Sequence, residues 1–170
     1  ASILARPEAP GICRHWTEFA GAARWYEREG EPARAAALYL EALRLLHDGA
    51  EHDKMLYRLA KLHRRAGDHG AALEIYDGML RLPLHRSLAA WIEAAKHFEH
   101  RAKDLGRARQ LVANCLRQVE LEEELRRMTG RSGAAPPARL IEDLHRRRAR
   151  LDRKAEREAA KAARPAKRSA

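Results

Sequence analysis

The sequence predicts an all-α protein: an α-α superhelix of three helix-turn-helix repeats with a C-terminal capping helix. Three observations predict it. One apolar pattern occurs three times, its leading residues 37 and then 35 positions apart (Phe19 to Leu56, Leu56 to Trp91). Ala, Leu, Arg and Glu dominate, and all favour helix. β-branched residues are few and no stretch alternates with period two, so a sheet is not expected. A repeat period in the mid-thirties with paired helices indicates a solenoid, and solenoids are binding surfaces.

The first copy reads Phe19, Ala22, Ala23, Tyr26, Gly30, Glu31, Ala35, Tyr39, Ala42, Leu43. The second reads Leu56, Leu59, Ala60, His63, Gly67, Asp68, Ala72, Tyr76, Met79, Leu80. The third reads Trp91, Ala94, Ala95, Phe98, then, after one extra turn residue, Asp104, Ala108, Val112, Cys115, Leu116. Gaps of three and four put these residues on one face of each helix. Ala23, Ala60 and Ala95 suit close helix crossings, where bulk would push the axes apart. Gly30 and Gly67 suit a left-handed turn after the first helix, and Lys103 takes that place in repeat three.

Helices are predicted over 15–29, 32–47, 52–66, 69–82, 87–102 and 105–128. Pro32 belongs in a first turn, where its missing N–H costs nothing. Gly49 is expected to stop the second helix, Pro83 to end the fourth, and Ser87 to cap the fifth. Gly130 ends the sixth, which overruns its repeat through Glu120, Glu122, Glu123 and Glu124. A seventh helix starts near Pro137. Leu140, Ile141, Leu144 and Leu151 form its apolar stripe, with Arg146, Arg147, Arg148, Arg150 and Arg153 on its polar side. The domain reading is a linker over 1–14, repeats over 15–130, a loop over 131–137, a capping helix over 138–160 and a basic disordered tail over 161–170.

The repeats resemble the tetratricopeptide repeat (TPR) family over about residues 15 to 118. The resemblance implies a concave surface on which the first helix of each pair binds an extended peptide. The matching outward positions include Thr17, Arg24, Glu27 and Arg28 in repeat one. Repeat two offers Lys54, Tyr57, Arg58, Lys61, Arg64 and Arg65, and repeat three Glu93, Lys96, Glu99 and His100. Of these, Arg24, Arg28, Lys54, Tyr57, Arg58, Lys61, Arg64, Arg65, Lys96 and His100 make the candidate peptide-binding groove. Its cationic stripe suits acidic peptides or phosphates. One TPR subgroup clamps the terminal carboxylate of chaperone tails with a Lys/Asn set. Here Ala89 and Glu93 stand where its cations belong, so that role is not expected.

A closer similarity is carried by Trp91-Ile-Glu-Ala-Ala-Lys-His-Phe-Glu-His-Arg-Ala-Lys-Asp104, by Leu56-Tyr-Arg-Leu-Ala-Lys-Leu-His63 with Ala66-Gly-Asp68, and by the Arg-rich final helix. These segments look like the TPR region of bacterial YprB-like proteins, which join it to a ribonuclease-H-fold exonuclease domain. The resemblance implies the accessory half of such a protein. No segment here matches that family's metal-binding carboxylates.

Charge bears on the alternative. The net charge is +10. From Ala138 to Ala170 there are 12 basic and 5 acidic residues, so most of the surplus lies at the C-terminus. Nucleic-acid binding through that basic helix and tail is the second functional expectation. The segment lacks the interleaved aromatics of a single-strand binder. Glu142 with Arg146 and Asp143 with Arg147 pair at helical spacing.

Nothing suggests catalysis. Ser2, Ser87, Ser132 and Ser169 fall in loops or tails, no Gly-rich phosphate cradle exists, and Asp53, Asp68 and Asp104 suit helix starts or turns. The nine histidines complete no metal set at a recognisable spacing. No cofactor and no metal are expected. No apolar run is long enough to span a membrane, and the two cysteines, Cys13 and Cys115, fit a reducing cytoplasm.

Overall fold

The computed structural model describes residues 15–130 and 137–163. The expected linker with Cys13, most of the 131–137 loop and the tail from Arg164 lie outside the described residues. Among those described there are seven helices and no strand: α1 (Trp16–Arg28), α2 (Pro32–Leu45), α3 (Ala50–Arg65), α4 (His69–Met79), α5 (Leu84–His100), α6 (Leu105–Thr129) and α7 (Ala138–Ala162). The chain forms two compact units, Ala1–Met79 and Leu80–Ala170.

In the first unit α1 packs on α2, α2 on α3, and α3 on α4. His15 and Glu18 cap α1 reciprocally. The Glu18 carboxylate accepts from the His15 N–H at 3.2 Å, while His15 Nδ1 accepts from the Thr17 N–H. Ala20, Ala22, Ala23, Tyr26, Leu38, Tyr39, Met55 and Leu59 are buried in one core, with Trp16, Phe19 and Trp25 packed against it. In the second unit α5 packs on α6, and α7 packs on both.

The three turns repeat the same bonding. After α1 the Glu31 N–H donates to the Tyr26 carbonyl at 3.0 Å, and after α3 the Asp68 N–H donates to the His63 carbonyl at 2.9 Å. After α5 the Asp104 N–H reaches the Phe98 carbonyl at 2.9 Å across the extra residue. Each turn then starts the next helix alike, with Ala35, Ala72 and Ala108 donating back to Glu31, Asp68 and Asp104. The bond across each turn demands a left-handed residue. Gly30 (φ +78°), Gly67 (φ +86°) and Lys103 (φ +54°) supply it. Side chains repeat as well: Arg34 lies over the Tyr26 ring at 5.5 Å, and Arg107 over the Phe98 ring at 4.5 Å.

The small residues at the crossings are sealed: Ala23, Ala60 and Ala95 have no exposed surface. Ala60→Leu is therefore expected to overpack α3 and cost about 1–3 kcal/mol, read from urea unfolding. Unchanged stability would mean that the crossing is not tight.

Several boundaries differ from expectation. Gly49 does not stop α2, which ends at Leu45; it precedes α3 with φ +104°, and α3 begins at Ala50. Pro83 does not end α4, which stops at Met79; it leads into α5 in an extended conformation. Ser87 therefore lies inside the first turn of α5. It is buried, and its hydroxyl donates back to the Leu82 and Pro83 carbonyls. The first amide of α5 finds another partner: the Glu122 carboxylate accepts from the Leu84 N–H at 3.2 Å. The α6 overrun thus caps its neighbour, while its Leu121, Leu125 and Met128 face outward. Gly130 ends α6 in the left-handed conformation, as its position predicts.

Helix α7 seals Leu144 and Leu151 completely and half-buries Leu140 and Ile141. Arg147, expected on the polar side, is buried instead. Glu99, expected to face outward from α5, has a fully buried side chain. One observation explains both: Glu99 and Arg147 are partners.

Candidate binding site

Arg24, Glu27 and Arg28 share one face of α1, and Arg58 and Arg65 share one face of α3. Together with Gly21 they line an open cleft of about 510 Å³. Glu27 is its centre. Its Oε2 accepts from Arg58 Nη1 at 2.9 Å and from the Tyr39 hydroxyl at 3.2 Å, and Arg65 Nη1 stands 3.7 Å from Oε1. Burial pushes the Tyr39 phenol up to about 12; Arg58 pulls it down and Glu27 adds to the rise. The hydroxyl is thus a fixed donor that holds Glu27 from beneath.

Four of the ten expected groove residues, Arg24, Arg28, Arg58 and Arg65, come together here. Tyr57 and Lys61 sit beside them on α3, with Lys61 Nζ 5.8 Å from the Tyr57 ring centre. Lys54 is bound to Glu51 on its own helix, and Arg64 is exposed. Lys96 and His100 belong to α5 in the second unit. There Lys96 pairs with the buried Glu93 at 2.7 Å, and His100 lies 3.5 Å from Glu99. Glu93 and Glu99, expected to face outward, are both buried. Tyr39 has a role the sequence did not suggest. It reads as a core aromatic, and its ring is one, but only the fold aims its hydroxyl at Glu27.

The second unit repeats the motif in closed form. Glu27 follows Tyr26 and Glu99 follows Phe98, so the two acids hold the same place in their repeats. Each draws cations from a neighbouring helix: Arg58 and Arg65 on α3 reach Glu27, and Arg147, Arg150 and Lys154 on α7 reach Glu99; with Lys61 between its two, α3 repeats the cation spacing of α7. The buried residues match too, with Met55 and Leu62 in one helix and Leu144 and Leu151 in the other. Around Glu99, Arg147 donates at 2.9 Å and Lys154 at 2.6 Å, and Arg150 donates through Nε and Nη2 at 3.0 and 2.9 Å. Burial pushes this carboxyl up, but the hydrogen bonds from Arg150 and Lys154 and the nearby charges outweigh it and hold it at about 2.

The chain matches no protein-family model, no curated protein and no solved structure. Among the described residues no three His, Cys, Asp or Glu side chains converge as metal ligands. Burial pushes the Cys115 thiol up to about 12, so it is a poor nucleophile. No described helix is long and apolar enough to cross a membrane. What the arginine cleft can do is hold negative charge.

Proposed function

We propose that this chain is a non-catalytic protein–protein interaction module, a TPR-type scaffold whose α1 and α3 faces receive a polypeptide partner. The arginine cleft carries the reading: a shaped, charged depression is formed by the first helices of two successive repeats. The shared turn bonds support the repeat assignment. The likeness of the Trp91–Asp104 segment to YprB-like proteins extends the proposal: the partner surface serves as the accessory half of a bacterial ribonuclease-H-like protein.

The alternative, nucleic-acid binding through the basic C-terminal helix, loses part of its footing. Arg147, Arg150 and Lys154 are bound to Glu99, and Arg146 lies 3.5 Å from Glu142. Cations already held by a buried carboxylate contribute little to neutralising phosphates.

Capture from lysate, with and without nuclease treatment, tests the choice. Under this proposal the captured partner is a protein that survives nuclease. Loss of all captured material on nuclease treatment would reverse the ranking.

A further inference from the structure

We propose that the cleft lined by α1 and α3 is a receptor for a phosphate monoester dianion carried on an extended peptide; this deepens the interaction reading above and rests on it.

The two acidic centres differ in how fully they are matched. Around Glu99 the match is complete: three cations donate to one carboxylate, and its side chain has no exposed surface. Around Glu27 it is not. Arg58 closes to 2.9 Å, but Arg65 stops at 3.7 Å with its side chain 58% exposed. Among the described residues no carboxylate lies within ion-pair distance of Arg24 or Arg28. The same arrangement is built twice, sealed in one unit and open in the other.

The open copy has an excess of charge. Four guanidinium groups face one carboxylate, a surplus of three positive charges in a single depression. These groups repel one another, and the single Glu27 carboxylate offsets only part of that repulsion. A bound anion relieves the repulsion and gains hydrogen bonds as well. Glu27, held by Arg58 and by the Tyr39 hydroxyl, keeps Arg58 in place rather than filling the cleft.

The residue types narrow the ligand. All four cations are arginines, whose planar forks match the paired oxygens of phosphate or carboxylate. A peptide carboxylate brings one charge and two oxygens. A phosphorylated side chain brings close to two charges near neutral pH and three acceptor oxygens. That is the better match for a threefold surplus with Arg24, Arg28 and Arg65 available to donate. A nucleic-acid backbone spreads one charge per phosphate along a track. This cleft concentrates its charge at one point.

The test uses a short fluorescent Gly/Ser peptide bearing one phosphoserine, its unphosphorylated form, and a single-stranded oligonucleotide. Anisotropy titrations on the full chain run at about 0.15 M salt. The phosphopeptide is expected to bind at least about tenfold more tightly than the unphosphorylated form, as charge-assisted bidentate bonds imply. Arg24→Ala with Arg28→Ala removes that preference. These side chains are exposed and have no ion-pair partner among the described residues, so the fold is expected to persist, and a thermal melt verifies it. Arg44→Ala, an exposed arginine on α2 outside the cleft, keeps the preference. Inorganic phosphate competes, but more weakly than the phosphopeptide. Equal binding of the two peptides, or a preference that survives in the double variant, overturns the proposal. So does tighter binding of the oligonucleotide, or inorganic phosphate competing as well as the phosphopeptide. Protein capture that depends on Lys61 and Arg65 without any phosphate preference would sink this inference and leave the interaction reading standing.

Discussion

Glu99→Ala is expected to destabilise the second unit by about 3–5 kcal/mol, because removing one partner of a buried ion pair strands the rest. Arg147 is buried, and its Nε has no partner among the described residues, so the Glu99 carboxylate is its main compensation. Arg150 and Lys154 lose the same acceptor. The consequence is local: α7 loosens from α5, and Leu144 and Leu151 become accessible. Urea unfolding at neutral pH measures the loss. Acid should reproduce part of it in the parent protein. The Glu99 carboxyl titrates at about 2 when folded, against an ordinary value of 4.5. A group with a lowered folded pKa adds stability above the unfolded value and loses it as pH falls through the folded one. The parent should therefore weaken between about pH 4.5 and pH 2, and Glu99→Ala should weaken less over that window. Equal stability of the two proteins at neutral pH would show that the cluster does not hold α7.

Tyr39→Ala is expected to cost the first unit about 3–5 kcal/mol, the range for truncating a fully buried aromatic. Tyr39 has no exposed surface and lies in the core that joins α1, α2 and α3. Tyr39→Phe separates packing from the site. It keeps the ring and deletes only the hydroxyl that donates to Glu27, so it should cost about 0.5–1.5 kcal/mol. Thermal or urea unfolding of both variants checks the ratio. A Phe variant as unstable as the Ala variant would mean that the hydroxyl, not the ring, dominates.

The helical class was legible in the sequence because it rests on periodicity, which side-chain types carry directly. The turns were legible for the same reason. Gly30 and Gly67 mark left-handed positions, and Lys103 could be placed there by alignment even though lysine rarely adopts that conformation. Boundaries near Gly49 and Pro83 were less legible, since either residue can stand just after one helix or just before the next. Here both stand before. Ser87 misled because a serine near a helix start favours the cap, yet it can also bond back to a carbonyl from inside the first turn.

The cationic face of α3 was legible as spacing, and two of its expected groove residues, Arg58 and Arg65, do converge with Arg24 and Arg28 of α1. The acids at its centre were harder to read. Glu27 meets Arg58 from 31 positions away, and Glu99 meets Arg147 from 48. No local pattern shows such a pair. The usable signal was the shared place of Glu27 and Glu99 after the aromatic of each repeat, set against two helices with equally spaced cations. Arg147 leaves the polar side because its partner Glu99 is fully buried; Arg58, at the same spacing from Met55 and Leu62, stays exposed beside the partly buried Glu27.

We propose that the cationic face of α1 and α3 receives a polypeptide partner. Partner capture by two altered chains tests it most directly: Lys61→Glu with Arg65→Glu, and a chain lacking residues 156–170. Both charged positions lie on α3 and neither is in the core, so the reversal should leave the fold intact. The reversal is expected to abolish capture, while the shortened chain captures as well as the parent. Capture that survives the reversal and vanishes with residues 156–170 would contradict it.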